Sequence, residues 1–283
     1  MLRQRRLLAI GLCATILAFA SSLTSLHAAD KEEKKAETDW TPLFNGKDLS
    51  GWDTWLGKPR GEKETVGLNN DPKKVFSVIE VEGKPAIRIS GEMYGALTSL
   101  KEYENYHLSL EFKWGEKKWP PRDKLPRDSG LLYHCVGEHG VFESYWMQSL
   151  ECQIEEHNCG DFWPVAKTIV DVEGERKSDK DPVTYKRGGT KFTGISGRII
   201  RSVDHEKPAG QWNTIELLVV GNTSVHVVNG KANMVLTNLR HKVGDSEEPM
   251  MKGKIQLQSE GAEVFFRNIA VRPIQRIPDQ YLK

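Results

Sequence analysis

The chain has 283 residues, 38% of them hydrophobic and 28% charged, with a formal net charge of +1, an ordinary globular balance. It offers no basic excess for a nucleic-acid groove, and neither a nucleic-acid partner nor a nucleotide cofactor is expected. Eight Trp, nine Phe and seven Tyr, spread along the chain, can build one sizeable core, so a single domain is the expectation.

The first 29 residues differ from the rest. Arg3, Arg5 and Arg6 precede the apolar stretch "LLAIGLCATILAFA", and small residues follow, the order of a secretory signal peptide cut near Ala28 or Ala29. The mature protein is therefore expected in the periplasm or outside the cell. Residues 30–38 are charged and lack large apolar side chains, as a disordered tether does. The folded domain is expected over 39–275, with 276–283 as a tail.

From Trp40 onward, short alternating runs dominate. "YHLSLEFKW" puts Tyr106, Leu108, Leu110, Phe112 and Trp114 on one face and His107, Ser109, Glu111 and Lys113 on the other, which predicts a half-buried strand. "GLLYHCV" (130–136), "SLECQIE" (149–155), "TIELLVV" (214–220), "SVHVV" before Asn229-Gly230, "KIQLQSE" (254–260) and "EVFFRNIAV" (263–271) are also strand length and bounded by turn residues. Many short strands without βα alternation predict an antiparallel sandwich or barrel. The stretches 115–129 and about 171–196 are charged and rich in Pro or Gly, and are expected to be long loops that carry binding groups.

Three cysteines follow the leader: Cys135, Cys152 and Cys159. An odd number cannot all pair, and Cys152 falls at an apolar position of its strand, so buried free thiols are expected rather than a disulfide. No CxxC spacing exists for a zinc ribbon or redox motif.

"SLECQIEEHNCGDFW" (149–163) carries the densest chemistry. If Leu150, Cys152 and Ile154 face the core, Ser149, Glu151, Gln153 and Glu155 share the other, wet face. A bulge after Gln153 would substitute Glu156 for Glu155 there. The resulting Glu-x-Gln-x-x-Glu resembles the Glu-x-Asp-x-x-Glu strand of laminarinase-type retaining glycosidases. Positions four apart on a strand lie ~13 Å apart, however, against roughly 5 to 5.5 Å for a retaining pair. A solvated acidic face is the plainer alternative.

Three segments point to one family. "LFNGKDLSGW" (43–52), the pair "SGLLYHCV" and "ECQIEEHNCGDFW", and "GKIQLQSEGAEVFFRNIAV" (253–271) resemble the 3-keto-disaccharide hydrolase domain family. The resemblance implies an all-β fold, a concanavalin A-like jelly-roll sandwich of two antiparallel sheets, and activity on 3-keto-glycosides. A C3 ketone acidifies the C2 hydrogen, so one base can form an enolate that expels the group at C1, after which water adds back. This needs a base, a group to stabilise the enolate oxygen and an acid, but no carboxylate pair at fixed separation. A sugar 3-oxidoreductase would be the functional partner that supplies the ketone. The same architecture also serves glycan-binding modules.

Within that chemistry the candidate catalytic residues are Glu151, His134 and Glu156. Gln153 and Asp128 are candidates for sugar hydroxyls, Trp146 and Trp163 for a stacking platform, and Arg267 for an anionic group. For Arg267 the plainer reading is an ion pair within the sheet, for Asp128 a turn, and for the two Trp core packing. His134, Glu151, Glu155 and His157 form a candidate ligand set for a divalent cation that would polarise the keto and hydroxyl oxygens.

Overall fold

The computed structural model describes residues 39–282, so the leader and tether expected from the sequence lie outside the described residues. Twenty strands, numbered in chain order, make two layers. The first sheet runs β4 (Phe76–Val81), β5 (Lys84–Ile89), β20 (Ala262–Pro273), β7 (Tyr106–Lys118), β15 (Asn213–Val220), β16 (Thr223–Val228), β17 (Lys231–Val243) and β11 (Thr168–Glu175). The second runs β3 (Gly67–Leu68), β2 (Trp52–Leu56), β6 (Gly95–Ser99), β19 (Lys254–Ser259), β8 (Asp128–Val136), β9 (Gln148–Glu155) and β10 (Phe162–Val165). β1 (Thr41–Pro42) pairs with β20, and β18 (Ser246–Pro249) with β17. β12 (Val183–Tyr185), β13 (Thr190–Ile195) and β14 (Ile199–Ile200) connect β11 to β10, and β12 with β14 is the one parallel pairing among the described residues.

This is the expected all-β, jelly-roll sandwich. The core lies between the layers because each sheet presents one apolar set: Leu108, Leu110 and Phe112 from β7 and Ile215 and Leu217 from β15, against Leu131 and Tyr133 from β8 and Leu150, Cys152 and Ile154 from β9. All are buried, and burying each such Leu, Ile or Phe side chain contributes about 1.5–3 kcal/mol. The period-two reading of "SLECQIE" therefore holds, and Glu151, Gln153 and Glu155 turn outward from the second sheet. Cys135, Cys152 and Cys159 are free and buried.

The expected loops are less extensive than their composition implied. β7 runs on to Lys118, β8 begins already at Asp128, and β12 and β13 lie within 171–196. Exposed strands need no apolar alternation: apart from Phe192 and Ile195, the four other residues of β13 are exposed to water while its backbone pairs with β11.

Candidate active site

β9 is flanked by β8 and β10, and β8 by β19, so outward side chains of these strands meet on one floor. The cleft above it has a volume of about 420 Å³. Its floor carries Asp128 from β8, Glu151, Gln153 and Glu155 from β9, and Gln258 with Glu260 at the end of β19. Trp146 forms one wall, Trp163 and Arg198 the other, and Arg122 reaches in from the short 3₁₀ turn Arg122–Lys124. The wet, solvated face expected from the sequence is in fact enclosed: Glu151 is 5% exposed and Gln153 6%.

The acidic floor is held together by one guanidinium. Arg122 forms ion pairs with Asp128, with Glu155 at 3.0 Å and with Glu260 at 3.1 Å. Three carboxylates around one cation leave an excess of negative charge, which the low-dielectric surroundings relieve by retaining protons. Burial, with Glu155 and Glu143 nearby, raises Glu260 to about 7 against the opposing pull of Arg122. Burial and the Glu260 carboxylate push Asp128 well above its ordinary value.

Glu151 belongs to this group but not to its ion pairs. Its Oε1 is buried with no hydrogen-bond partner, and burial followed by the charges of Glu260 and Glu155 raises its pKa well above the ordinary carboxylate range. Gln258 Oε1 is likewise buried and unpartnered, and so is Asp128 Oδ1. Such groups cost free energy in the resting fold. Here several of them converge on a cavity of ligand size.

The structure thus gathers Glu151, Gln153, Asp128, Glu155, Trp146 and Trp163 in one place, and separates the other sequence candidates from it. Strict alternation along "GLLYHCV" would put His134 on the face of Leu132 and Val136. A bulge between Tyr133 and Val136 gives His134 a φ of +50° and turns its ring to the core side, among Tyr106 and Tyr133. Both its nitrogens are buried without partners, and burial lowers its pKa to about 4. No bulge follows Gln153 in the β8–β9 ladder, which runs in register through Asp128–Glu155. Glu156 therefore lies outside the cleft, where it pairs with Arg127 at 3.0 Å. His157 sits at φ +71° in the turn after β9, exposed, with its backbone N–H donating to Glu206.

Arg267 also lies elsewhere. It pairs with Glu111 at 2.6 Å across the β20–β7 ladder and stacks on Trp212 at 3.7 Å, the ion pair within the first sheet that its apolar neighbours suggested. The divalent-cation set is accordingly not assembled: His134 and His157 are apart from Glu151 and Glu155, and the carboxylates that do converge enclose Arg122. Among the described residues no cluster of three or more His, Cys, Asp or Glu has the arrangement of a metal site.

Arg122, Arg198, Gln258 and Glu260 are the residues the sequence reading passed over. Gln258 and Glu260 were legible, since "QLQSE" repeats polar side chains at every second position opposite Ile255 and Leu257. Arg198 is fixed by Asp161, which is fully buried and accepts from its Nε at 2.9 Å and its Nη2 at 2.6 Å. Its guanidinium lies 5.5 Å from the Trp163 ring centre. Trp163 is 38% exposed and so is not a core residue, whereas Trp146 is buried and donates to the Gly95 carbonyl.

Comparison with known proteins supplies the family. The model of the 3-keto-alpha-glucoside-1,2-lyase-like domain matches residues 39–272. The chain belongs to this family. A candidate glycosyl hydrolase from Parabacteroides distasonis is similar in structure at 20% identity and a TM-score of 0.50, over 86% of this chain and 96% of that one. A second such structure from the same organism gives 20% identity and a TM-score of 0.49, over 84% and 100%. The carbohydrate binding module CBM66 from Bacillus subtilis gives 8% and 0.43, over 78% and 95%. The first of these likenesses concerns the shared sandwich fold. A comparison with curated proteins found no match. Family membership makes this a carbohydrate-related sandwich protein with a hydrolase-like domain.

Proposed function

We propose that the Glu151 cleft is the active site of an enzyme that hydrolyses 3-keto-glycosides by elimination and hydration. The observation that carries this reading is Glu151 itself: a buried carboxyl in a ligand-sized cleft, with an unpartnered oxygen and a proton affinity raised toward the working range of a general base. Glu151 takes the C2 proton, and the C2–H electrons form the enolate of the C3 ketone. The enolate then expels the C1 oxygen substituent, which takes a proton from the Asp128–Glu260 pair as the C1–C2 double bond forms. Water adds at C1, Glu151 returns the proton to C2, and the acid pair recovers its proton from the water. The sum is hydrolysis with no change of oxidation state.

Arg198 supplies the positive charge for the enolate oxygen. Asp161 occupies its Nε and Nη2 and leaves Nη1 uncommitted. Trp163 offers an exposed ring for the sugar face, and Gln153 and Gln258 offer amides for its hydroxyls. The ketone would come from a sugar 3-oxidoreductase, and the basic and apolar leader suits a protein working outside the cytoplasm.

The exposed Trp163 beside a polar floor also suits a non-catalytic glycan-binding module. A paired assay separates the readings: a glucoside disaccharide and its 3-keto counterpart, each given to the wild type and to Glu151→Gln. Cleavage of the keto sugar alone, lost in the variant, supports the enzyme. Binding without product from either sugar supports the module, and cleavage of the unoxidised sugar would replace the elimination reading with a conventional glycosidase.

A further inference from the structure

A second, larger cavity of about 760 Å³ opens beside the first. Its walls are apolar and aromatic, with Met93, Tyr94, Trp119 and Tyr145, and two cations, Lys58 and Arg60, stand at its rim. Lys73, also on the rim, is neutralised by Glu92 at 2.6 Å, whereas Lys58 and Arg60 make no ion pair among the described residues. The cavity is therefore an aromatic box with unbalanced positive charge.

Two chain segments serve both cavities. Arg122 lies three residues after Trp119, and its backbone N–H donates to the Trp119 carbonyl at 2.8 Å, so the wall of the second cavity leads into the guanidinium of the first. Tyr145, in the second cavity, precedes Trp146, in the first. Between them stands Tyr94, within electrostatic reach of Arg122, with its ring 5.3 Å from that of Tyr145 and 6.4 Å from that of Trp146. Tyr94 thus stands among side chains of both cavities.

The aromatic wall is fixed rather than incidental. The Tyr145 hydroxyl donates to the Lys58 carbonyl at 3.4 Å, and its ring lies where any β-carbon on Gly57 would overlap it. Trp119 Nε1 donates to the Ser90 carbonyl at 3.0 Å. Anchored rings and uncompensated cations at the mouth of a cavity favour a flat, negatively charged ligand, through stacking and charge pairing.

We propose that this second cavity receives the leaving group of the glycoside and selects an aromatic one bearing an anionic substituent. The inference rests on the reading of the Glu151 cleft as the sugar site. A glycoside that places its sugar over Glu151 and its C1 substituent past Tyr94 spans the two hollows.

The test compares 4-carboxyphenyl 3-keto-glucoside with the isosteric but neutral 4-carbamoylphenyl compound, both anomers of each, on the wild type and on Lys58→Gln/Arg60→Gln. The expected result is a kcat/KM at least tenfold higher for the carboxylate in the wild type, with the ratio falling toward one in the double variant. A wild-type ratio near one, or one that survives the double substitution, overturns the proposal. Should neither compound be turned over, the elimination reading fails by itself. The subsite is then judged by quenching of tryptophan fluorescence with the unoxidised 4-carboxyphenyl glucoside. Saturable quenching lost in the double variant supports it, and absence of quenching overturns it. Trp119→Leu, which keeps the cations, should abolish the quench.

Discussion

Glu151 Oε1 and Gln258 Oε1 face the same small space above Gly130, and a β-carbon at that glycine would overlap both. Both are acceptors without partners, so neither satisfies the other, and the Glu151 oxygen is left open to take a proton from a bound substrate. Gly130 is needed for this approach because both intruding atoms are ends of flexible side chains standing on neighbouring strands. Gly130→Ala should therefore move the two carboxyl and amide groups while leaving the strand paired. We expect kcat on a 3-keto-disaccharide to fall about 100-fold, the cost of misplacing a reacting group by about 1 Å. Thermal unfolding should shift little, and an active variant would show that the position of Glu151 is not critical.

The site and the core impose opposite pH dependences on stability. Glu260, at about 7 in the fold against an ordinary 4.5, holds a proton that the unfolded chain has released, so its contribution is lost as pH rises from 4.5 to 7. His134 and His226, both buried and lowered from 6.5 to about 4, stay neutral where the unfolded chain is protonated. Their contribution is lost as pH falls from 6.5 to 4, at about 1.4 kcal/mol per unit for each. Urea unfolding across pH 4 to 8 should give a Glu260→Gln variant that loses less stability than wild type on the alkaline side. It should fall as steeply as wild type on the acid side. Parallel curves throughout would remove Glu260 from the linkage.

Arg122 is the counter-ion on which the acidic floor depends. Arg122→Met keeps a long apolar stem but leaves Asp128, Glu155 and Glu260 facing one another without compensation. Removing one partner of a buried ion pair costs about 3–5 kcal/mol. That cost should appear at pH 8 and shrink at pH 5, where Asp128 and Glu260, both raised in proton affinity, take up protons. Chemical denaturation at the two pH values measures it directly, and an equal loss at both would assign the effect to packing.

The sequence exposed the sandwich and half of its site for the same reason. A strand alternates its side chains without exception while it stays regular, so "YHLSLEFKW" and "SLECQIE" disclosed which residues face the core and that Glu151, Gln153 and Glu155 share the other face. His134 was misplaced because a bulge breaks that alternation, and nothing in "LLYHCV" announces one. Arg122 and Arg198 lie in connecting segments, and their arrival in the cleft depends on contacts with Asp128 and Asp161, which only the fold brings near. The enclosure of Glu151 was hidden for a related reason: the strand gives direction, whereas the covering walls come from residues far away in the chain.

Arg198 and Arg267 offer a contrast between two arginines beside tryptophans. Arg198 is clamped by the two hydrogen bonds it donates to buried Asp161 at the wall of the cleft, and Arg267 is paired with Glu111 on the first sheet. A lysine keeps the charge but cannot reproduce a two-bond fork or stack as a plane. Arg198→Lys should therefore lower kcat on the 3-keto substrate about 10- to 100-fold, because the cation no longer has a fixed position for the developing oxyanion. Arg267→Lys should leave kcat and KM within about twofold and cost about 1 kcal/mol of stability through the lost stacking on Trp212. Steady-state kinetics and melts on the two variants decide the matter. A kinetic effect at Arg267 without loss of stability would mean that the first sheet's outer face also meets the substrate.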